Sequence, residues 1–301
     1  MFNPNSGTAL KLGLAADAIS KLFDGADLNA TVDADDSVAL DQRIKGALAT
    51  DADVIVAAGG DGTITALASA MVGSAKTLAL LPLGTANLLA RDLKIPLELD
   101  AAVAALSSME AMSIDVAQVN GRVFLHNVTL GFVAGVAVGR EQIRGRTDLA
   151  AKVGFFRYFL RRVARAKRIA VEITASDLPP RIVRAHAISV ANNLYDQGFG
   201  QVFSRKRLDG GRLGVYTLKH LVLSDVIRLS VAMLLGRWQE QEAVDIEDHE
   251  ESTIRSKRPA VMAMLDGEIE TLSMPLRFKI LPKSLSVLVP RQEPDRAIPE
   301  V

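Results

Sequence analysis

The sequence predicts an α/β domain built on a parallel sheet, followed by a mainly β, sandwich-like domain. Three observations carry this. In the first third, short apolar runs (Asp53–Ala57, DVIVA; Thr77–Leu81, TLALL) alternate with stretches of helical spacing, the pattern of a parallel sheet covered on both faces. After about Ser113 the pattern changes to short segments that alternate apolar with polar, with a strong hairpin signal at Asn120-Gly121. The length, 301 residues, exceeds the span of a usual single core. The expected division is 1–113 for the α/β domain, 114–290 for the β domain and 291–301, with Pro294 and Pro299, for an irregular tail.

Element by element, Thr8 to Leu22 has helical spacing, with Leu10, Leu14, Ala18 and Leu22 on one face. Val38–Ala49 is a second helix, capped by Asp36 or Ser37. Asp53–Ala57 is a strand that passes through glycines into a helix at Ile64–Met71. Thr77–Leu81 is a second strand, followed by Pro82, Gly84 and a helix at Ala86–Asp92, then a further helix at Asp100–Ser107. Beyond these, strands are expected at Ile114–Val119, Arg122–His126, Ile169–Thr174, Ala185–Ala191, Arg212–Leu218, Val261–Leu265, Leu276–Ile280 and Leu285–Val289. Helices interrupt them at Asp148–Ala166 and Ser224–Leu235.

Composition narrows the chemistry. With no cysteine, disulfide frameworks, thiolate metal sites and catalytic thiols are excluded. The net charge of zero is a cancellation of blocks. Nine acids and three bases lie in Asp17–Asp53, ten bases and two acids in Arg140–Arg168, and seven acids with no Lys or Arg in Gln239–Glu251. The first residues carry no basic region or apolar run of a secretory signal. The longest charge-free stretch, Val123–Gly139, holds His126, Asn127, Gly131 and Gly135, which suits a membrane span poorly. The expectation is a cytoplasmic protein, soluble or peripheral at the inner membrane face.

Four motifs could carry chemistry. Gly59-Gly60-Asp61-Gly62-Thr63 sits between a strand and a helix. Glycines let a ligand approach the backbone, and the helix N-terminus offers free N–H groups that suit phosphate. Asp61 would repel phosphate unless a cation stands between, which points to Mg²⁺; the alternative is a tight turn in which Asp61 is a helix cap. Leu81-Pro82-Leu83-Gly84-Thr85-Ala86-Asn87 repeats the strand–glycine turn–helix arrangement, with Thr85 as cap or ligand contact and Asn87 as either. Asn3-Pro4-Asn5-Ser6-Gly7 is a third such turn, preceded only by Met1 and Phe2; either the sheet edge is short here or its strand begins upstream. Leu265-Asp266-Gly267-Glu268 ends an apolar strand; Asp266 is either a hairpin turn residue or an acceptor for a hydroxyl proton. No P-loop, GxSxG elbow or HExxH helix is present, and His126, His186, His220 and His249 show no ligand spacing.

These four motifs, in this order, resemble the diacylglycerol kinase catalytic family, particularly its small soluble bacterial lipid kinases. GGDGT alone is shared with NAD kinases and phosphofructokinases, whose fold the first domain is then expected to share; GGDGT with a later GTAN and LDGE is more specific. The resemblance implies a two-domain kinase with ATP and Mg²⁺ as cofactors. By motif match, nucleotide contacts fall on Asn3, Gly59, Gly60, Asp61, Gly62, Thr63, Gly84, Thr85 and Asn87, with a further contact near Thr31. The proton acceptor falls on Asp266, and metal contacts fall on Asp61, indirectly, and on Asp209. The chain departs from the family at Thr65-Ala66, where Asn-Glu is common, at Leu88, where Asp is common, and at Asp209-Gly210-Gly211-Arg212, which lacks the second acid of a structural Mg²⁺ turn.

The basic block groups four of the chain's aromatics within Phe155–Phe159, followed by Arg161, Arg162, Arg165, Lys167 and Arg168. Such a helix over Lys152–Arg168 either rests on an anionic leaflet or buries its aromatic face in the β domain. No RNA-binding signature accompanies the charge. The sequence therefore points to a lipid kinase acting on a diacylglycerol-like hydroxyl. The alternatives are an NAD kinase and a degenerate kinase that binds nucleotide or lipid as a sensor.

Overall fold

A computed structural model describes residues 1–132, 136, 149–176, 178–196, 203–221 and 223–291. The expected tail from 292 onward and part of the basic block lie outside the described residues. The chain forms two units: Met1–Ile114 with Lys283–Val301, and Asp115–Pro282. The boundary expected near residue 290 thus differs from the observed one, because the chain re-enters the first unit at Lys283.

In the first unit, α1 (Gly7–Leu12) and α2 (Ala16–Gly25) replace the single helix expected over Thr8–Leu22. Gly13, at φ 60, ends α1 in the left-handed region, which glycine adopts without steric cost. The break re-phases the apolar face. Ile19 and Phe23 are buried, whereas Leu10 is 63% exposed. Helix α3 (Leu40–Leu48) follows Ala39 and has no side-chain cap, so neither Asp36 nor Ser37 serves as expected. Strand β1 (Val54–Gly59), helix α4 (Asp61–Met71), strand β2 (Thr77–Pro82), and helices α5 (Leu88–Asp92) and α6 (Leu99–Leu106) complete the alternation. β1 and β2 run parallel, Val54 opposite Thr77 through Gly59 opposite Pro82. Phe2 adds one parallel bridge at Ala58. Phe2, Ile19, Phe23, Ala79, Leu81 and Val103 are among the core residues on this sheet.

In the second unit, strands β3 (Glu110–Val119) and β4 (Arg122–Phe124) form a hairpin turned by Asn120 and Gly121, both at positive φ as a type I′ turn requires. They are followed by β5 (Asn127–Gly131), helix α7 (Leu149–Ala164), and strands β6 (Ile169–Ala175), β7 (Leu178–Ala185), β8 (Ala187–Asn192) and β9 (Leu213–Leu218). Helix α8 (Leu223–Leu234), a 3-10 turn at Trp238–Glu240, and strands β10 (Val244–His249), β11 (Glu251–Arg255), β12 (Ala260–Leu265), β13 (Glu268–Ser273) and β14 (Leu276–Val289) follow. One antiparallel sheet runs β10-β9-β8-β5-β12-β13; β14, β11, β6 and β7 are neighbours in another. Val128, Ile188 and Val215 of the first share one apolar core with Val171, Ile254 and Phe278 of the second. This is a sandwich, as the alternating strands led one to expect. Phe124 meets Phe278 edge to face with ring centres 6.2 Å apart. The last part of β14 pairs in parallel with β2 at Val287 opposite Leu78, within the first unit.

Candidate functional site

Three strand-to-helix turns of the first unit are pressed together where β1 and β2 end. Glycine makes the approach possible. A Cβ on Gly84 would lie 2.8 Å from the Gly60 Cα and 2.7 Å from the Asn87 Oδ1, and one on Gly59 would lie 2.8 Å from the Thr63 side chain. The turns are cross-tied. The Thr8 amide donates to the Leu83 carbonyl at 2.9 Å, the Thr8 hydroxyl to the Gly84 carbonyl at 3.1 Å, and the Asn3 amide side chain to Thr63 Oγ1 at 2.9 Å. Asn87 adopts φ 50, accepts from the Gly84 N–H at 2.8 Å and donates to the Gly84 carbonyl at 3.1 Å, which closes its own turn. Asn87 is therefore a turn-former, and Thr85 stays exposed.

Asp61 has a structural partner that its sequence position does not reveal. Its carboxylate accepts the Asn87 N–H at 2.9 Å and the Leu88 N–H at 2.7 Å, latching the first glycine turn to the second at the start of α5. It is a cap, but of α5 rather than of the helix it begins. The Mg²⁺ expected from this position gains no support. Both oxygens are engaged with the backbone, and no group of three or more His, Cys, Asp or Glu among the described residues could hold a metal. Asp209, the other expected metal contact, is exposed beside Arg207. In the same loop, the Gly211 N–H donates to the buried Asp115 carboxylate at 2.6 Å.

An anion fits the same place. Gly60 caps α4 with extended backbone and no side chain, so the amides of Asp61, Gly62 and Thr63 receive no capping acceptor. These amides and the helix dipole favour a phosphate. Ser6, absent from the expected site residues, has a buried Oγ with no partner among the described residues and belongs to the third turn. Its buried, orphaned hydroxyl was not visible in spacing.

Beside these turns the first unit holds a mostly apolar cavity of about 850 Å³, lined by Phe2, Phe23, Thr31, Val32, Ile55 and Leu106 among others. Arg43, also missed from sequence, ties the loop over it, donating to Asp33 Oδ2 at 2.8 Å and to the Phe2 carbonyl at 2.7 Å.

Asp266, in the second unit, is the hairpin turn residue that one of its two sequence readings expects. At φ 46, with Gly267 at φ 94, it makes the two-residue turn between β12 and β13. Its carboxylate also accepts three backbone bonds, from Leu125 at 2.7 Å, His126 at 2.9 Å and Asn127 at 3.0 Å. Burial raises its pKa, opposed by these three donors and by the Arg205 guanidinium. Arg205 is fully buried, donating to the Leu125 carbonyl at 2.7 Å and the Asn192 carbonyl at 2.6 Å. Burial and Arg205 push the His126 pKa well down, which keeps this imidazole neutral. His249 lies 3.2 Å from Glu247 and His220 lies 3.2 Å from Arg168.

A parallel sheet that presses glycine turns against an uncapped helix start, in a chain with an antiparallel sandwich, defines a class of phosphate-handling α/β enzymes. Comparison with known proteins narrows it. A family model for the diacylglycerol kinase catalytic domain matches residues 1–119, and one for the YegS C-terminal NAD kinase beta sandwich-like domain matches residues 126–289. The chain is 30% identical over 256 residues to a protein of Pseudomonas aeruginosa named "Probable lipid kinase YegS-like", covering 83% of this chain and 81% of that one. Over 85 residues it is 42% identical to the Salmonella newport protein named "Probable lipid kinase YegS", covering 27% of this chain and 28% of the other. A solved structure titled as a diacylglycerol kinase from Bacillus anthracis covers 96% of this chain and 94% of its own, with a TM-score of 0.66 at 19% identity, a likeness of fold. The chain belongs to the diacylglycerol kinase catalytic family and is a kinase.

Proposed function

We propose that this kinase transfers the γ-phosphoryl group of ATP, carried with Mg²⁺, to a hydroxyl of a diacylglycerol-like lipid. The observation that carries the reading is the uncapped start of α4, where the amides of Asp61, Gly62 and Thr63 stand at the packed glycine turns. These groups bind and orient the nucleotide phosphates; Thr85 and the rims of Gly59 and Gly84 bound the same space. Mg²⁺ bound to the nucleotide would offset charge on its phosphates. The lipid hydroxyl oxygen forms the new bond to the γ-phosphorus, the bond to the β–γ bridging oxygen breaks, and ADP leaves. Asp266 accepts the hydroxyl proton. Its raised pKa supports that role, because a base that holds its proton more tightly is a better acceptor near neutral pH. The exposed Arg157, Arg161, Arg162, Arg165, Lys167 and Arg168 support contact between the basic segment and an anionic inner-leaflet surface.

The test is transfer from γ-labelled ATP to a panel of lipid alcohols, with NAD as a parallel acceptor. Labelled phospholipid, lost in Asp266→Asn, is expected. Transfer to NAD alone, or an Asp266→Asn enzyme as active as wild type, overturns the proposal.

A further inference from the structure

Helix α8 has two apolar faces and needs only one of them to fold. Ala232 is buried, and Leu229 and Met233 pack with it against Trp238, Tyr195 and Tyr216 in a small aromatic cluster. On the other side Ile227, Val231 and Leu235 are 59%, 50% and 56% exposed. Ile227 and Val231 stand at i and i+4 on the helix, and Leu235, one residue past its end with its N–H donating to the Val231 carbonyl at 3.0 Å, continues their line. Single exposed apolar residues need no explanation, but a continuous half-exposed stripe on one helix is not scatter. The neighbouring helix α7, which packs against α8, shows the same spacing in the opposite chemistry: Arg157, Arg161 and Arg165 are all exposed.

We propose that the Ile227–Val231–Leu235 stripe of α8 inserts among the headgroups of an anionic lipid bilayer while the α7 arginines hold the surface electrostatically. Charge complementarity selects this occupant. A stripe one side chain wide and three long, beside a helix rich in arginine, lacks the broad apolar centre that a stable protein interface buries. An apolar ridge flanked by cations is the pattern of a helix lying in a membrane interface. Two weak signals together anchor where one would not. The inference rests on the lipid-kinase reading for its purpose but not for its test.

The experiment is sedimentation of the whole protein with large vesicles of phosphatidylcholine, with and without phosphatidylglycerol. Binding is expected only with the anionic lipid. Ile227→Ser with Val231→Ser should lower partitioning by about tenfold or more in a way that added salt does not mask. Arg157→Gln with Arg161→Gln should lower it by a similar factor, an effect that high salt reproduces in wild type. Circular dichroism and melting temperatures confirm that these surface variants fold. Transfer to a short-chain, water-soluble diacylglycerol should be unchanged in the stripe variants. A wild type that transfers to no lipid yet binds vesicles overturns the kinase reading and leaves the docking face standing. The docking proposal is overturned if the stripe variants bind like wild type. It is equally overturned if wild type ignores anionic vesicles, including the case of a dimer that the stripe variants convert to monomer.

Discussion

Asp266 is a fastening in the fold and, in the proposed mechanism, also the proton acceptor. Each of its oxygens is tied to the 125–127 turn, yet burial still raises its pKa. In Asp266→Asn, an amide NH₂ would face one backbone N–H now met by carboxylate, an orphaned donor that costs about 1–3 kcal/mol. The carboxyl is raised in the folded state, so its stabilising effect is full below the ordinary carboxylate range and is lost as pH rises through the raised value. The gap in melting temperature between wild type and Asp266→Asn should therefore be largest in acid and shrink toward neutral pH. Activity has the opposite slope: kcat/KM should fall as pH drops through that same raised value, because only the ionised form accepts a proton. A pH–rate profile flat to the ordinary carboxylate range would contradict this. From sequence, Asp266 was legible as either a turn residue or a base, and the fold shows why spacing could not choose: the residue makes the turn and keeps its carboxylate buried. Ser6 and Arg43 were illegible for a different reason. Their significance lies in an orphaned hydroxyl and in bonds to Asp33 and Phe2, which no local pattern encodes.

Among the elements, the glycine turns were legible because a strand, a glycine pair and a helix leave a local signature. The tightness of their contact was not. Gly84→Ala forces a Cβ to within 2.8 Å of the Gly60 Cα, backbone that cannot step aside. It should destabilise by about 1–3 kcal/mol and weaken nucleotide binding more than tenfold, read by calorimetry. Gly46→Ala, in α3 with nothing within 4 Å of its Cβ, should instead stabilise by about 0.5–1 kcal/mol in denaturant unfolding. The strands that escaped notice were mainly the edges. β7, β10 and β13 each end a row of paired strands, and an edge strand bonds on one side only, so it tolerates prolines and charges. β7 begins Leu178-Pro179-Pro180, and β10 reads Val-Asp-Ile-Glu-Asp-His inside the acidic block. Their low apolar content erased the run that marks a buried strand.

For the whole molecule, the two-part division was legible as a change of pattern near Ser113, but the return of the chain was not. Leu285–Val289 looked like one more strand of the β part, since an apolar alternation names no partner. Its partner is β2. Removing residues 283–301 should therefore unfold the first unit although no residue of its glycine turns is touched. Loss of the cooperative transition and of ATP-dependent stabilisation in a melting experiment would show it. Retention of both would contradict it.

The same strand constrains how such enzymes recombine. Because β14 belongs to both units, a single crossover between two related genes yields a chimaera whose α/β unit carries a closing strand from the wrong parent. A clean exchange of the first unit needs two crossovers, one near Ile114 and one near Lys283. Within the family, the two halves are thus expected to be inherited as an insertion of one into the other rather than as beads on a string, and substrate specificity to be transplanted only with both joints cut.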